Sequence, residues 1–321
     1  MSPVMVVSYP EDVHGTVLET LLRQRDVEVA RLSLDEVAER FTWQLGTGLS
    51  LDQSRVDRGR WSGIWRRLGV PALDAIDPAY GDFAMSETRD AFRGALMSLG
   101  IDWLNEPDAL WRAEHKLVQL EAARGLGLRV PHTVVTNDPA VAKQFTDGRE
   151  TVAKAVRYGL VATAPEPRMA WTQRVEPQAE FVFGGVPVVF QEAITARAHL
   201  RVVTVECRVF ASRLVSDALD WRATDGAVGE WIQLSASEVP AGLEQDAVRL
   251  ARALQLNYTS QDWLVDDDAR PIFLEANPNG QWLFLDEGGP DRPRQQPTGR
   301  RQEDSVLCRQ RRPPNLTAQD G

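Results

Sequence analysis

Ser260-Gln261-Asp262-Trp263-Leu264-Val265, followed by Asp266-Asp267-Asp268-Ala269-Arg270 and then Pro271-Ile272-Phe273-Leu274-Glu275-Ala276-Asn277, is the stretch that decides the fold. Two apolar runs separated by an acidic turn-forming segment predict an antiparallel hairpin. With its centre between Asp268 and Ala269, Asp262 lies opposite Glu275, and the two-residue period of a strand puts Asn277 on the face of Glu275. Like charges opposed across a ladder are unfavourable unless a cation lies between them. Three converging oxygen donors suit Mg²⁺, which takes one or two carboxylates and completes its shell with phosphates and water. The competing reading is an ordinary polar face on an edge hairpin, with Asn277-Pro278-Asn279-Gly280 a simple turn. The acidic triplet 266–268 reads as solvated.

Outward from the hairpin, the basic residues carry the next information. Lysine is confined to Lys116, Lys143 and Lys154, with arginine supplying the rest of the strongly basic side chains. Lys154 lies inside Val152-Ala153-Lys154-Ala155-Val156, where an ammonium on an apolar strand needs a partner or a ligand. Bound phosphate would serve it, as would a structural ion pair. Lys116 opens a helix, where a solvated lysine is the plainer reading. Arg201, between Leu200 and Val202-Val203, presents a guanidinium suited to a carboxylate, an acyl phosphate or a tetrahedral intermediate. Its alternative is a buried pair with Glu206 or another acid. Arg222, in Asp220-Trp221-Arg222, is a second candidate of this kind.

The rest of the chain supplies an α/β frame. Apolar runs at 4–8 and 27–32 flank Val17, Leu18, Leu21 and Leu22 at helical spacing, and a strand at 64–67 and a helix at 86–99 complete a first unit, 1–105. A second unit, 106–186, holds a helix at 114–126, a strand at 132–136, a helix capped by Asn137-Asp138-Pro139, and a strand at 151–156. A third, 187–288, contains strands at 186–194, 200–210 and 213–219, a helix at 243–256 and the hairpin. Residues 289–321, rich in proline, arginine and glutamine, are expected to be a disordered tail.

Composition limits the partners. The 321 residues carry a formal net charge of -10, which excludes a general attraction to nucleic acid or an anionic membrane. The start lacks a signal peptide and no run reaches membrane-spanning length, so a soluble, cytoplasmic protein is expected. The two cysteines, Cys207 and Cys308, make neither a disulfide framework nor a zinc site, and Cys207 reads as a buried strand residue. The four histidines, His14, His115, His132 and His199, are not spaced as metal ligands.

These pieces, in this order, resemble the ATP-grasp superfamily. More narrowly, Ala113-Glu114-His115-Lys116-Leu117-Val118-Gln119-Leu120, the segment 128–139, and Leu274-Glu275-Ala276-Asn277-Pro278-Asn279-Gly280-Gln281-Trp282 look like the ATP-grasp peptide maturases that make microviridin-like graspetides. Ile64-Trp65-Arg66-Arg67 extends the likeness loosely. The resemblance implies a three-unit α/β fold with ATP between the second and third units. It also implies that an Asp or Glu side chain of a ribosomally made precursor peptide, leader and core, is phosphorylated and then attacked by Ser, Thr or Lys. Lys116 and Lys154 would then contact ATP phosphates. Gln191, Glu192, Ala193 and Ile194 would line the adenine pocket, and His199 would stand where relatives place an acid for the ribose. Arg201 and Arg222 would face the transferred phosphate or acyl oxygens, and Asp262, Glu275 and Asn277 would hold Mg²⁺. The alternatives are a ligase of the same fold acting on an amino acid or protein terminus, and a non-catalytic nucleotide- or peptide-binding module. The oligomeric state is open, with a homodimer among the options.

Overall fold

The computed structural model describes residues 2–34, 41–51, 54–66, 76–157, 160–161, 168–169, 171–176, 179–214 and 231–285. Arg67, residues 215–219 of an expected strand, Arg222, Cys308 and the tail 289–321 lie outside the described residues.

In the first unit, β1 (Val4–Val7), α1 (Val13–Arg23), β2 (Val29–Leu32), β6 (Ser62–Trp65), α2 (Gly81–Met97) and β7 (Asp102–Leu104) surround a parallel sheet of order β2-β1-β6-β7. A parallel sheet is buried on both faces, and β1 divides accordingly. Met5 and Val7 join a core with Trp65, Phe92, Leu96 and Trp103, while Val6 packs with Val27, Val29 and Leu22 on the other side. Between β2 and β6 the chain forms an antiparallel sheet of β3 (Phe41–Gln44), β4 (Gly48–Leu51) and β5 (Ser54–Asp57), which was not anticipated from the sequence.

Next come α3 (Pro107–Ala113) and α4 (Lys116–Gly125), then β8 (Thr133–Thr136), α5 (Pro139–Thr146), β9 (Thr151–Lys154), β10 (Leu160–Val161), β11 (Arg168–Met169), β12 (Gln173–Arg174) and β13 (Val188–Glu192). As expected, Asp138 caps α5, accepting from the Ala140 N–H at 2.8 Å, with Pro139 at the first turn. The strands form a sheet of order β12-β9-β13-β8, with β13 antiparallel to both neighbours.

The last sheet has the order β16-β15-β14-β17-β18, from β14 (Ala198–Val205), β15 (Arg208–Leu214), β16 (Ile232–Gln233), β17 (Tyr258–Val265) and β18 (Pro271–Asn277). Helix α6 (Leu243–Ala253) places Leu243, Ala247, Val248 and Leu250 fully buried against it. Each fully buried aliphatic side chain of leucine or valine size stabilises by about 1.5–3 kcal/mol, so this is the main packing of the third unit. The strand expected over 200–210 is instead a hairpin. Glu206 turns the chain with φ 55°, and Cys207 is half-buried in that turn, not in a strand.

The β17–β18 ladder holds a further difference. Val265 pairs with Pro271, Leu264 with Ile272 and Trp263 with Phe273, so the turn is centred on Asp268, and that register alone would bring Asp262 opposite Leu274. A bulge at Leu274 absorbs one residue and restores the pairing of Asp262 with Glu275. It also changes face. Phe273 packs edge-on against Trp263 in the core, whereas Glu275 leaves on the other side.

The outer edge of β18 is covered by α4. Gln119 accepts from the Ala276 N–H at 2.8 Å and donates to the Ala276 carbonyl at 2.7 Å, and the Phe273 N–H reaches the Arg129 carbonyl at 2.9 Å. Such pairing removes the open edge that a terminal strand otherwise presents. Among the described residues no helix is long and apolar enough to cross a membrane.

Asn105, 1% exposed, ties the first unit to this sheet. It donates to the carbonyls of Tyr258 and Pro278 and accepts from the N–H groups of Asn257 and Tyr258, all within 3.0 Å. Asn105→Ala leaves these buried groups without their partner, and urea unfolding is expected to show a loss of about 2–4 kcal/mol.

Candidate functional site

A row of charge crosses the third sheet. In register, Arg201 on β14 faces Asp262 on β17, and Asp262 faces Glu275 on β18. Arg201 Nη1 donates to both Asp262 oxygens at 2.7 and 2.8 Å, and Lys116 Nζ lies 3.2 Å from Glu275 Oε2. The order is therefore cation, carboxylate, carboxylate, cation. Lys116 arrives there because α4 docks through Gln119, less than one turn further along the helix.

Asn277 follows on the face of Glu275, opposite Ser260. Its turn folds back tightly: a Cβ on Gly280 would lie 2.3 Å from the Ser260 Cβ, so no larger residue fits. Asp262, Glu275 and Asn277 thus share one surface, as the sequence anticipated. Among the described residues no three His, Cys, Asp or Glu side chains converge as a self-sufficient metal cage. Two carboxylates and a carboxamide, all oxygen donors, fit a hard cation whose remaining positions are filled by phosphate and water.

Lys154 stands in the other sheet, where its Nζ donates to Gln191 Oε1 at 2.7 Å, and Gln191 Nε2 donates to Thr133 Oγ1 at 2.9 Å. Gln191 is buried with both ends of its amide engaged, so it holds the ammonium in place. Glu192 is tied to His132 through backbone and side chain, the Ala193 N–H donates to the Glu150 carbonyl, and Ile194 is half-buried on the way to β14. Arg157, just past β9, pairs with Glu114 at 2.6 Å and brings this sheet against the helix junction that carries Lys116. His199 is half-buried two residues before Arg201, opposite Leu214 and Leu264.

Several contributors were not anticipated: Gln119, Glu114, Arg157 and the residues that grip the turn after Asn277. The Pro278 carbonyl accepts from Asn105, that of Asn279 from Arg66 at 3.3 Å, that of Gly280 from Tyr258 at 2.6 Å, and that of Gln281 from Arg201 at 3.2 Å. Burial pushes the Tyr258 phenol up to about 12, despite nearby Arg66 and Arg201, so it remains a neutral donor. Only Asn-Pro-Asn-Gly itself signalled a turn; the grips span too much chain to be read locally.

This order of units is the ATP-grasp fold. The chain is similar to an RiPP-associated ATP-grasp ligase of Chryseobacterium gregarium in complex with ADP and a leader and core peptide: 22% identity, TM-score 0.76, covering 89% of this chain and 92% of that one. It is also similar to macrocyclase MdnC of Microcystis aeruginosa MRC bound with precursor peptide MdnA, at 23% identity and TM-score 0.76, covering 91% and 96%. A third likeness is to ATP-grasp ligase PsnB complexed with minimal precursor, Mg and ADP, at 23% identity and TM-score 0.69, covering 88% and 91%. No family model and no curated protein matches the chain.

Glu275→Gln keeps the shape of the row and removes one carboxylate charge. Its turnover is expected to fall by about 100-fold or more with the melting temperature nearly unchanged. Steady-state assays across a Mg²⁺ series, alongside thermal melts, check this; full activity at ordinary Mg²⁺ would rule Glu275 out as a metal ligand.

Proposed function

We propose that the chain is an ADP-forming, ATP-dependent ligase that activates Asp or Glu side chains of a ribosomal precursor peptide and links them to Ser, Thr or Lys as esters or amides. The observation that carries this reading is the Arg201, Asp262, Glu275, Lys116 row. It presents paired carboxylates for a hard cation, bordered by cations for anionic oxygens. The peptide substrate is supported by similarity along nearly the whole chain to ligases seen with leader, core or precursor peptides.

In this reading Asp262, Glu275 and Asn277 hold Mg²⁺, which when bound neutralises phosphate oxygens and aligns the γ-phosphoryl group. Lys116 and Lys154 bind phosphate oxygens. Arg201, fixed by Asp262, stabilises negative charge on the transferred phosphoryl group and on the acyl oxygen during attack. Gln191, Glu192, Ala193 and Ile194 border the base, with His199 near the ribose. Arg222, outside the described residues, is assigned by the family resemblance to the transferred phosphate or acyl oxygens. Catalysis is then positioning and electrostatics, with no covalent enzyme nucleophile. A cytoplasmic setting, with its ATP and nascent peptides, agrees with these requirements.

The test mixes the purified chain, Mg-ATP and a candidate precursor peptide, and follows peptide mass and nucleotide together. Each bond formed should remove one water, with ATP giving ADP and phosphate, and hydroxylamine should trap the activated carboxyl as a hydroxamate. AMP as the nucleotide product would refute the route. A peptide gaining the mass of an added amino acid would transfer the reading to a small-substrate ligase.

A further inference from the structure

The segment after Asn277 is held with unusual completeness from outside. Every carbonyl from Pro278 to Gln281 accepts a side-chain donor, and the next two N–H groups, of Trp282 and Leu283, both donate to His14 Nε2, at 3.1 and 3.3 Å. Of these grips, His14, Arg66 and Asn105 belong to the parallel-sheet unit, far from the metal row in sequence.

His14 is itself fixed. Because Nε2 accepts two N–H groups it carries no proton, so the imidazole proton is on Nδ1, which lies 3.7 Å from Asp12 Oδ1. Asp12 caps α1, accepts the Ser8 hydroxyl at 2.5 Å and faces Arg66 Nε at 3.6 Å. Burial acts to raise its pKa, yet the Ser8 hydrogen bond, the charge of Arg66 and the hydrogen bond from the His14 backbone N–H together hold the carboxyl below its usual range. The His14 ring also meets the Trp282 indole edge-on, with centroids 5.6 Å apart.

This arrangement is costly if its purpose is only to hold a turn. Arg66 is 4% exposed, and its Nε and Nη2 have no hydrogen-bond partner among the described residues. Burying charge costs several kcal/mol per ion before pairing, and well-packed apolar residues often replace such pairs without loss of stability. The turn already closes on itself through the Gly280 N–H to the Asn277 carbonyl at 3.1 Å. What the buried charges add is a fixed position for the whole segment. At one end of it is Asn277; at the other is the Gln281 carbonyl that engages Arg201.

We propose that the first α/β unit is a working part of the metal-nucleotide site, with His14 its positioning residue: through Trp282 and Leu283 it sets the turn that places Asn277 and Arg201. This rests on the assignment of Asp262, Glu275 and Asn277 to Mg²⁺. It does not depend on which carboxylate the enzyme activates.

The test uses the full chain and two variants, His14→Leu, which lacks an acceptor, and His14→Gln, whose amide oxygen restores one. Calorimetric titration with ADP is run with Mg²⁺ and again with the metal chelated. His14→Leu should weaken Mg-ADP binding about tenfold, as loss of a supporting hydrogen bond does at metal sites, and leave metal-free ADP binding nearly unchanged. His14→Gln should recover most of the loss. If His14→Leu does not fold, Asp12→Asn carries the same test, because it keeps a capping oxygen and removes the charge facing Nδ1; a smaller, metal-dependent loss is expected. Unchanged Mg-ADP affinity, equal loss in the Leu and Gln variants, or equal loss with and without metal would each overturn the role of His14. A wild-type chain that binds no Mg-ADP would overturn the metal assignment along with it. Failure to modify any peptide would count against the ligase reading alone.

Discussion

Two carboxylates standing side by side on neighbouring strands set the terms for the rest of this molecule. Unit charges about 5 Å apart repel by about 3 kcal/mol at the effective dielectric of a protein surface, so Asp262 and Glu275 require compensation from groups that cannot drift away. The fold supplies it from both sides. Arg201 is fixed in the adjoining strand with two short bonds to Asp262, and Lys116 is carried to Glu275 by a helix. That helix is the same one whose Gln119 closes the sheet edge at Ala276. Edge protection and charge balance are one device, and the α3–α4 junction that begins it is also where Arg157 brings in the second sheet.

Much of this could be read in the sequence, for reasons that also explain the gaps. Strand period and turn chemistry act over a few residues, so the opposed Asp262 and Glu275, the shared face of Asn277 and the Asp138-Pro139 helix start were all legible. The Leu274 bulge was not, because an extra residue in one strand leaves no compositional trace; the expected pairing is realised through a shifted turn and a bulge that compensate each other. The hairpin at Glu206 was hidden for a related reason. The run from Leu200 to Phe210 is mostly β-branched and apolar, interrupted by Arg201, Glu206 and Arg208, and its turn is made by a glutamate at positive φ with no glycine or asparagine to mark it. By contrast Gly46 and Gly48, both at positive φ, were available signals for the unanticipated sheet of β3, β4 and β5. The partner of Lys116 and the grips of Asn105, Arg66 and His14 depend on which distant segments meet, which local pattern does not encode.

The same distances say something about when this surface exists. His14 meets Trp282 across 268 residues, Arg66 meets Gly280 across 214, and Asn105 meets Pro278 across 173. Contacts that close such long loops cost chain entropy before they give anything back, and they tend to form late. During synthesis, His14, Arg66 and Asn105 therefore wait for the residues up to Leu283 before the segment after Asn277 can be seated. A ligand that binds only the seated form would therefore stabilise chains in which the first unit has met this segment over chains in which it has not.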